Sequence, residues 1–315
     1  MVRAVERANQ IGATALQIFA DNPTAWRRRA EPPHELPAFR ERLVALDIWP
    51  VAIHAPYLVN LAGTDEDFFG RSVSVLATDL RAAPGFAARF MNVHIGSHRG
   101  STVEAGTARL ARGLALVLAE VDDHPDAPMV VLENSAGGGS GLGTSVTELA
   151  GIAEAIAAVG IPAGRIGFCL DTAHAWGAGV DLASTDETDR FLAEFDTRIG
   201  LSRLVMVHLN DSKSERGSRL DRHEHLGAGR IGAEGMAHLL RHPALGDAAM
   251  FLETPGMDEG YDAVNMARAR DLLAGRALSD LPPGALTVRG SRSRSAPEET
   301  TRGLEDPRDP DDPAP

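Results

Sequence analysis

Short apolar runs alternate with longer stretches in which apolar residues recur every three or four positions, and this rhythm holds along most of the chain. The runs at 14–19, 50–54, 90–94, 129–133, 166–171, 203–207 and 249–253 predict seven strands. They are continuously apolar, the pattern of a parallel sheet covered on both faces. Helical spacing predicts helices over 1–12, 37–46, 65–82, 103–121, 186–199, 234–240 and 260–273, and Ser145-x-x-Glu148 reads as a capping box that opens one more. Strict alternation of strand and helix leaves two α/β architectures, an open doubly wound sheet or a (β/α)8 TIM barrel. No Gly-x-Gly-x-x-Gly follows the first strand, and polar residues close nearly every strand, so the barrel is favoured. A barrel wants eight strands, whereas this chain opens on a helix. The first strand is therefore expected to be missing, which leaves two strand edges unpaired. The native start is expected upstream by roughly ten to fifteen residues, one strand and its loop.

From residue 281 onward the periodicity stops. Pro282-Pro283, Arg289-Gly290-Ser291-Arg292-Ser293-Arg294 and the Asp/Pro-rich end predict a disordered tail, 281–315, after a barrel domain spanning 1–275. A hydrophobic content of 43% and a charged content of 24% suit a globular domain with a sizeable core. No run of eighteen apolar residues occurs and no basic-then-apolar leader opens the chain, so a cytoplasmic protein without a membrane partner is expected. Cys169 is the one cysteine, which excludes an internal disulfide and a thiolate zinc cluster. Any metal must be held by nitrogen and oxygen. The net charge of −13 argues against a nucleic-acid partner unless bound cations reverse the local field. Of 31 basic residues only Lys213 is a lysine, and it stands in the most polar stretch of the chain.

One nitrogen or oxygen donor closes each of six consecutive strands: His54, His94, Glu133, Asp171, His208 and Glu253. His174 follows Asp171 by three residues. Asp221-x-His223 adds a carboxylate and an imidazole that point the same way if their segment is extended. Each residue alone has an ordinary reading, as a hydrogen-bonded core histidine or a carboxylate capping the next helix. Six in register are different, because barrel strand ends converge on one mouth. The four carboxylates gathered there would repel one another unless cations neutralise them. Imidazole and carboxylate without thiolate suit zinc, manganese or iron. Nine donors exceed the four to six positions of one ion, and suffice for two or three ions if one carboxylate bridges.

The segments His54-Ala55-Pro56-Tyr57-Leu58-Val59-Asn60, Glu133-Asn134-Ser135-Ala136-Gly137-Gly138-Gly139, Leu170-Asp171-Thr172-Ala173-His174-Ala175, His208-Leu209-Asn210-Asp211-Ser212-Lys213, Gly217-Ser218-Arg219-Leu220-Asp221-Arg222-His223 and Leu252-Glu253-Thr254-Pro255 resemble the endonuclease IV family. These are the zinc-dependent apurinic/apyrimidinic endonucleases of base-excision repair, and the resemblance runs from about residue 2 to 273. It implies a TIM barrel with three zinc ions, manganese being admissible at one site. His54, His94 and Glu133 would hold the first ion. Glu133 would bridge to a second, completed by Asp171, His208 and Glu253, and His174, Asp221 and His223 would hold the third. The resemblance also implies catalytic roles for Glu133, which spaces two metals, and Glu253, which positions the nucleophile. Tyr57 and Leu58 would enter the DNA, Arg222 would meet a phosphate, and Lys213 would contact the strand. The implied reaction is hydrolysis 5′ to an abasic site, leaving a 3′-hydroxyl and a 5′-deoxyribose phosphate. The implied partner is double-stranded DNA with abasic sites or blocked 3′ ends, bound by a monomer.

The chain departs from the family pattern in three places. Ile95 replaces the proline of His-Pro-Gly-Ser-His, which is expected to loosen that loop. The loop that carries a duplex-wedging arginine in bacterial members reads Asn22-Pro23-Thr24-Ala25-Trp26, followed by Arg27, Arg28 and Arg29. The first strand, with its Gly-Ala-His-Val-Ser-like sequence, is absent. Two rival readings are open. A sugar isomerase or epimerase on the related barrel needs one or two metals and leaves His174, Asp221 and His223 without work. A truncated barrel that only binds damaged DNA accounts for the missing strand but not for nine retained donors.

Overall fold

A computed structural model describes residues 1–121 and 127–287. In chain order the elements are α1 (Val2–Ile11), β1 (Leu16–Ile18), α2 (Leu36–Ala45), β2 (Val51–His54), α3 (Glu66–Ala82), β3 (Ala88–His94), α4 (Val103–Ala119), β4 (Met129–Glu133), α5 (Val146–Ala158) and β5 (Ile166–Asp171). They continue with α6 (Thr172–Ala178), α7 (Thr185–Arg198), β6 (Leu204–His208), β7 (Asp211–Ser212), β8 (His223–Glu224), α8 (Gly232–Arg241), β9 (Ala249–Phe251) and α9 (Tyr261–Leu273). All seven predicted strands form one parallel sheet in the order β1-β2-β3-β4-β5-β6-β9. Asp65, Thr102, Ser145 and Ser184 each accept a hydrogen bond from a first-turn amide, and of these caps Ser145 is the one the sequence singled out.

The sheet curls into a nearly closed TIM barrel. Among the described residues β1 and β9 are its two edges and do not pair with each other. The helices do meet across that seam. On α1, Arg7 Nε donates to Asp262 Oδ2 of α9 at 2.9 Å, and Arg270 of α9 donates to the carbonyl of Ile11 at 2.5 Å.

Inside the barrel, period-two alternation builds the site. Ala52, Phe90, Val131, Cys169, Met206 and Phe251, one from each strand of β2–β6 and β9, pack as an apolar layer. Two residues further along each strand direction stand His54, Asn92, Glu133, Asp171, His208 and Glu253. The polar layer thus rests on an apolar floor.

The donors form a staircase rather than the single row expected from the sequence. His94 pairs with Glu133 and Asp171 with His208, but His54 pairs with Asn92, Glu133 with Cys169 and His208 with Phe251. Tilted barrel strands slip in register, and slips of two residues keep every donor facing inward. β9 also ends at Phe251, so Glu253 lies just beyond the strand that was expected to contain it.

The pattern did not predict the short helix α6 or the two-residue hairpin β7–β8. At the C-terminal end, residues 281–287 of the expected tail include a turn at Ala285–Thr287. There Ala285 is buried and its carbonyl lies 3.1 Å from His225 Nε2, so the packed chain extends to residue 287. The rest of the expected tail, 288–315, lies outside the described residues. No helix among the described residues is long and apolar enough to cross a membrane.

Candidate metal centre

The mouth of the barrel is built around Glu133, the last residue of β4, whose side chain is fully buried. Its Oε2 lies 3.6 Å from His54 Nε2, 3.5 Å from His94 Nε2 and 3.4 Å from His208 Nδ1. Its Oε1 lies 3.1 Å from His174 Nδ1. Asn92 donates to Oε2 at 2.5 Å. Two groups of donors share this carboxylate: His54 and His94 with Glu133, and Asp171, His208 and Glu253 with Glu133.

A third group forms because Asp171 ends one element and begins the next. Its Oδ1 accepts from the amide of His174 at 2.8 Å as the N-cap of α6, which swings the His174 side chain over the mouth. The β7–β8 hairpin brings Asp221 and His223 in from the other side, with Lys213 N donating to Arg222 O at 2.9 Å. His223 Nε2 lies 3.0 Å from Asp221 Oδ1 and 3.6 Å from Asp171 Oδ2, and His174 Nε2 lies 3.4 Å from Asp221 Oδ2. Asp171, His174 and His223 form a compact donor triple, with Asp221 against both histidines. Asp171 therefore stands beside the third group as well as within the second.

The free atoms fit divalent ions. His54 donates through Nδ1 to Ala55 O at 2.6 Å, His174 through Nδ1 to Asn134 O at 2.9 Å and His223 through Nδ1 to Glu253 O at 2.9 Å. His208 instead donates through Nε2 to Gln17 Oε1 at 3.0 Å. With one nitrogen committed to an acceptor, each ring turns its other nitrogen to the mouth as a lone-pair donor, the arrangement a metal-binding histidine requires. Glu133 Oε1, His208 Nδ1 and His223 Nε2 are buried atoms without a hydrogen-bond partner. Such orphans are costly, and cations in the separate donor groups would satisfy all three.

Burial and charge oppose each other here. Burial alone pushes the Glu133 carboxyl upward, yet His94, His208 and His174 outweigh it and hold the group well below the usual carboxylate range. Asp221 is likewise lowered, against burial, by the adjacent imidazoles of His174 and His223. Burial pulls His223 down, but Asp171 and Asp221 lift it to about 10. Burial instead lowers His94, so the rings of the mouth do not titrate alike.

At the rim, the Tyr57 side chain is exposed beside Phe19 and His54, with ring centroids 5.4 and 5.6 Å away, and Leu58 is half-buried. Burial, Glu253 and Glu133 push the Tyr57 hydroxyl up to about 12, so it stays protonated. Arg222 is exposed and donates to Asp221 O at 2.8 Å, while Lys213 Nζ lies 3.7 Å from Glu224. Of the arginines after the loop at 22–26, Arg28 faces buried Asp79 at 3.7 Å and Arg29 is bonded to Asp21, so neither is free to wedge a duplex. The loop at Ile95 is packed and hydrogen-bonded. Ile95 is buried, and Asn60 Oδ1 accepts from Ser97 N at 3.1 Å while filling the space where a Cβ on Gly96 (φ +97°) would sit.

Sequence reasoning missed the residues that hold the donors. Asn134 Oδ1 accepts from Asp171 N at 2.6 Å, Asn210 Nδ2 donates to Asp171 Oδ2 at 2.9 Å, and Asn210 Oδ1 accepts from Glu253 N at 2.8 Å. Gln17 and Asn92 carry a legible signal, since each is an amide inside an otherwise apolar strand. Asn134 and Asn210 sit in polar turns and carry none. A separate group, Asp189 with His238 and His242, lies between α7 and α8. There His242 Nδ1 accepts the Ala244 amide and Asp189 is exposed, which makes the group an ion-pair clasp.

Comparison with known proteins follows the same lines. The AP endonuclease 2 family profile, described as a xylose isomerase-like TIM barrel, matches residues 5–276. Probable endonuclease 4 of Methanoculleus marisnigri is 42% identical over 270 residues, covering 86% of this chain and 94% of that protein. The crystal structure of endonuclease IV from Thermus thermophilus superposes with a TM-score of 0.75 at 38% identity, covering 87% of this chain and 94% of that one. A D-tagatose 3-epimerase-like protein superposes with a TM-score of 0.62 at 16% identity, covering 86% and 90% of the two chains, a likeness of fold alone.

Proposed function

This chain belongs to the endonuclease IV family of DNA-repair nucleases, and on that premise we propose that it hydrolyses the phosphodiester 5′ to abasic sites in duplex DNA. The products are a 3′-hydroxyl and a 5′-deoxyribose phosphate. The observation that carries the reading is Glu133, a buried carboxylate whose two oxygens face four histidines belonging to different donor groups. His54, His94 and Glu133 would hold one ion. Glu133, Asp171, His208 and Glu253 would hold a second, and His174, His223 and Asp221 a third. Zinc, with manganese admissible at one site, would supply the Lewis acidity that makes a water nucleophilic and offsets charge on the phosphate and the departing oxygen.

The chain's own groups do the remainder. Glu133 keeps two donor groups at a set separation. Glu253, partly exposed at the mouth, would orient the attacking water. Tyr57 and Leu58 at the rim enter the duplex beside the lesion, and Arg222 and Lys213 meet its backbone. A missing base leaves little stacking to break, so the abasic sugar is the cheapest nucleotide to turn into the pocket. The protein acts as a monomer. Blocked 3′ ends are a further substrate class, because their removal also breaks a bond between phosphorus and a 3′-oxygen.

The test is nicking of a duplex with one abasic site by purified, zinc-loaded protein. A single 5′ incision is expected, lost on strong chelation and restored by zinc or manganese. Metal-replete protein that leaves the duplex intact would sink the proposal.

A further inference from the structure

β1 contributes one polar side chain to the barrel interior, Gln17, and its position across the open seam gives it two partners on the far side. Gln17 Nε2 donates to Glu253 Oε1 at 2.8 Å, and Gln17 Oε1 accepts from His208 Nε2 at 3.0 Å. One amide therefore uses both its donor and its acceptor on two residues of the same donor group. The consequence is visible in the atoms left over. His208 Nδ1 and Glu253 Oε2 face each other at 3.3 Å, and Nδ1 is buried without a hydrogen-bond partner.

We propose that Gln17 is a positioning residue: it sets the tautomer of His208 and the rotation of the Glu253 carboxylate, and so presents Nδ1 and Oε2 together to one divalent ion. This rests on the assignment of Glu133, Asp171, His208 and Glu253 to a metal site. The chemistry is specific to a neutral amide. An acceptor alone would hold His208 but release Glu253, and a carboxylate at this position would repel Glu253. His208 differs from His54, His174 and His223 in being anchored through Nε2 by a side chain rather than through Nδ1 by a backbone carbonyl. A backbone anchor is held by the fold, whereas this one depends on a single residue.

The test measures metal affinity by chelator competition with zinc, site by site, on the full chain. Gln17→Met preserves volume without hydrogen bonds, and Gln17→Asn preserves the amide but withdraws it from both partners. Both variants are expected to bind one zinc more weakly by roughly 10–100-fold, the usual loss when an outer hydrogen bond to a metal ligand is removed. The zinc held by His54 and His94 should stay, and nicking should recover in excess zinc. Wild-type affinity in either variant overturns the positioning role. If Gln17→Met does not fold, Gln17→Asn decides alone. If wild-type protein binds no zinc at the Glu133, Asp171, His208 and Glu253 group, it is the underlying site assignment that fails, and the variants are then indistinguishable from wild type at a site that does not exist.

Discussion

Glu133 concentrates the chemistry in one carboxylate, and its replacement is the sharpest single-residue test. Glu133→Gln keeps the shape and the contact with Asn92 but removes the charge that two donor groups share. Turnover should fall below detection and about two metals should be lost, since each ion keeps too few ligands. Binding to abasic DNA should survive, because Tyr57, Leu58 and Arg222 stand apart on the rim. A filter-binding or anisotropy titration beside elemental analysis checks both halves; near-normal cleavage would remove Glu133 from its bridging role. Strand-end histidines and acids were legible here because an ionisable residue closing an apolar run is conspicuous. Asn134 and Asn210 were not, because an asparagine in a polar turn looks like any turn residue.

Elements add roles that no residue has alone. Asp171 closes β5 and caps α6, so a loss of charge can be separated from a loss of cap. Asn caps helices about as well as Asp. Asp171→Asn should leave the melting temperature of the metal-free protein within a few degrees while lowering metal content; an equal loss of both would mean that the cap, not the charge, matters. A second element-scale effect links α3 to the loop after β1. Burial raises Asp79 to about 6, with Arg28 beside it pulling the other way. The folded state therefore holds a proton that the unfolded chain has lost between about pH 4 and 6, so this group's contribution to stability falls as pH rises through that window. The fall should be on the order of 2–3 kcal/mol. Urea denaturation across that range should show the slope in wild type and a flatter one in Asp79→Asn.

At the scale of the whole molecule, the acids and histidines of the mouth couple metal, protons and stability. Against the pull of burial, Asp171 and Asp221 lift His223 to about 10 and raise His174 too, while His208 is raised by Cys169, Glu253 and Glu133. Metal binding needs the neutral rings, so loading zinc at pH 7 should release protons, measurable with an indicator dye. Close to three ions per chain are expected, and one ion would favour the isomerase reading. Ions that bind only the folded state should raise the melting temperature, by an amount that grows with free zinc. A melting temperature indifferent to zinc would mean that the mouth holds none. The helices carry the molecule across the seam where the sheet is unpaired, Arg7 and Asp262 joining α1 to α9.

The sequence by itself determined the alternation of strands and helices, and with it the parallel sheet, because continuous apolar runs can only be buried on both faces. It also determined which ionisable residues close the strands. Tertiary structure alone decided how those residues meet. The tilt of the strands turns a row of donors into a staircase around Glu133, and the hairpin β7–β8 carries Asp221 and His223 to Asp171 and His174, far earlier in the chain. Gln17 reaches Glu253 across 236 residues. Local patterning records which side of a strand a residue faces, since that depends on its neighbours. Which distant atom it faces depends on register and closure, and those are set by the packing of the whole barrel.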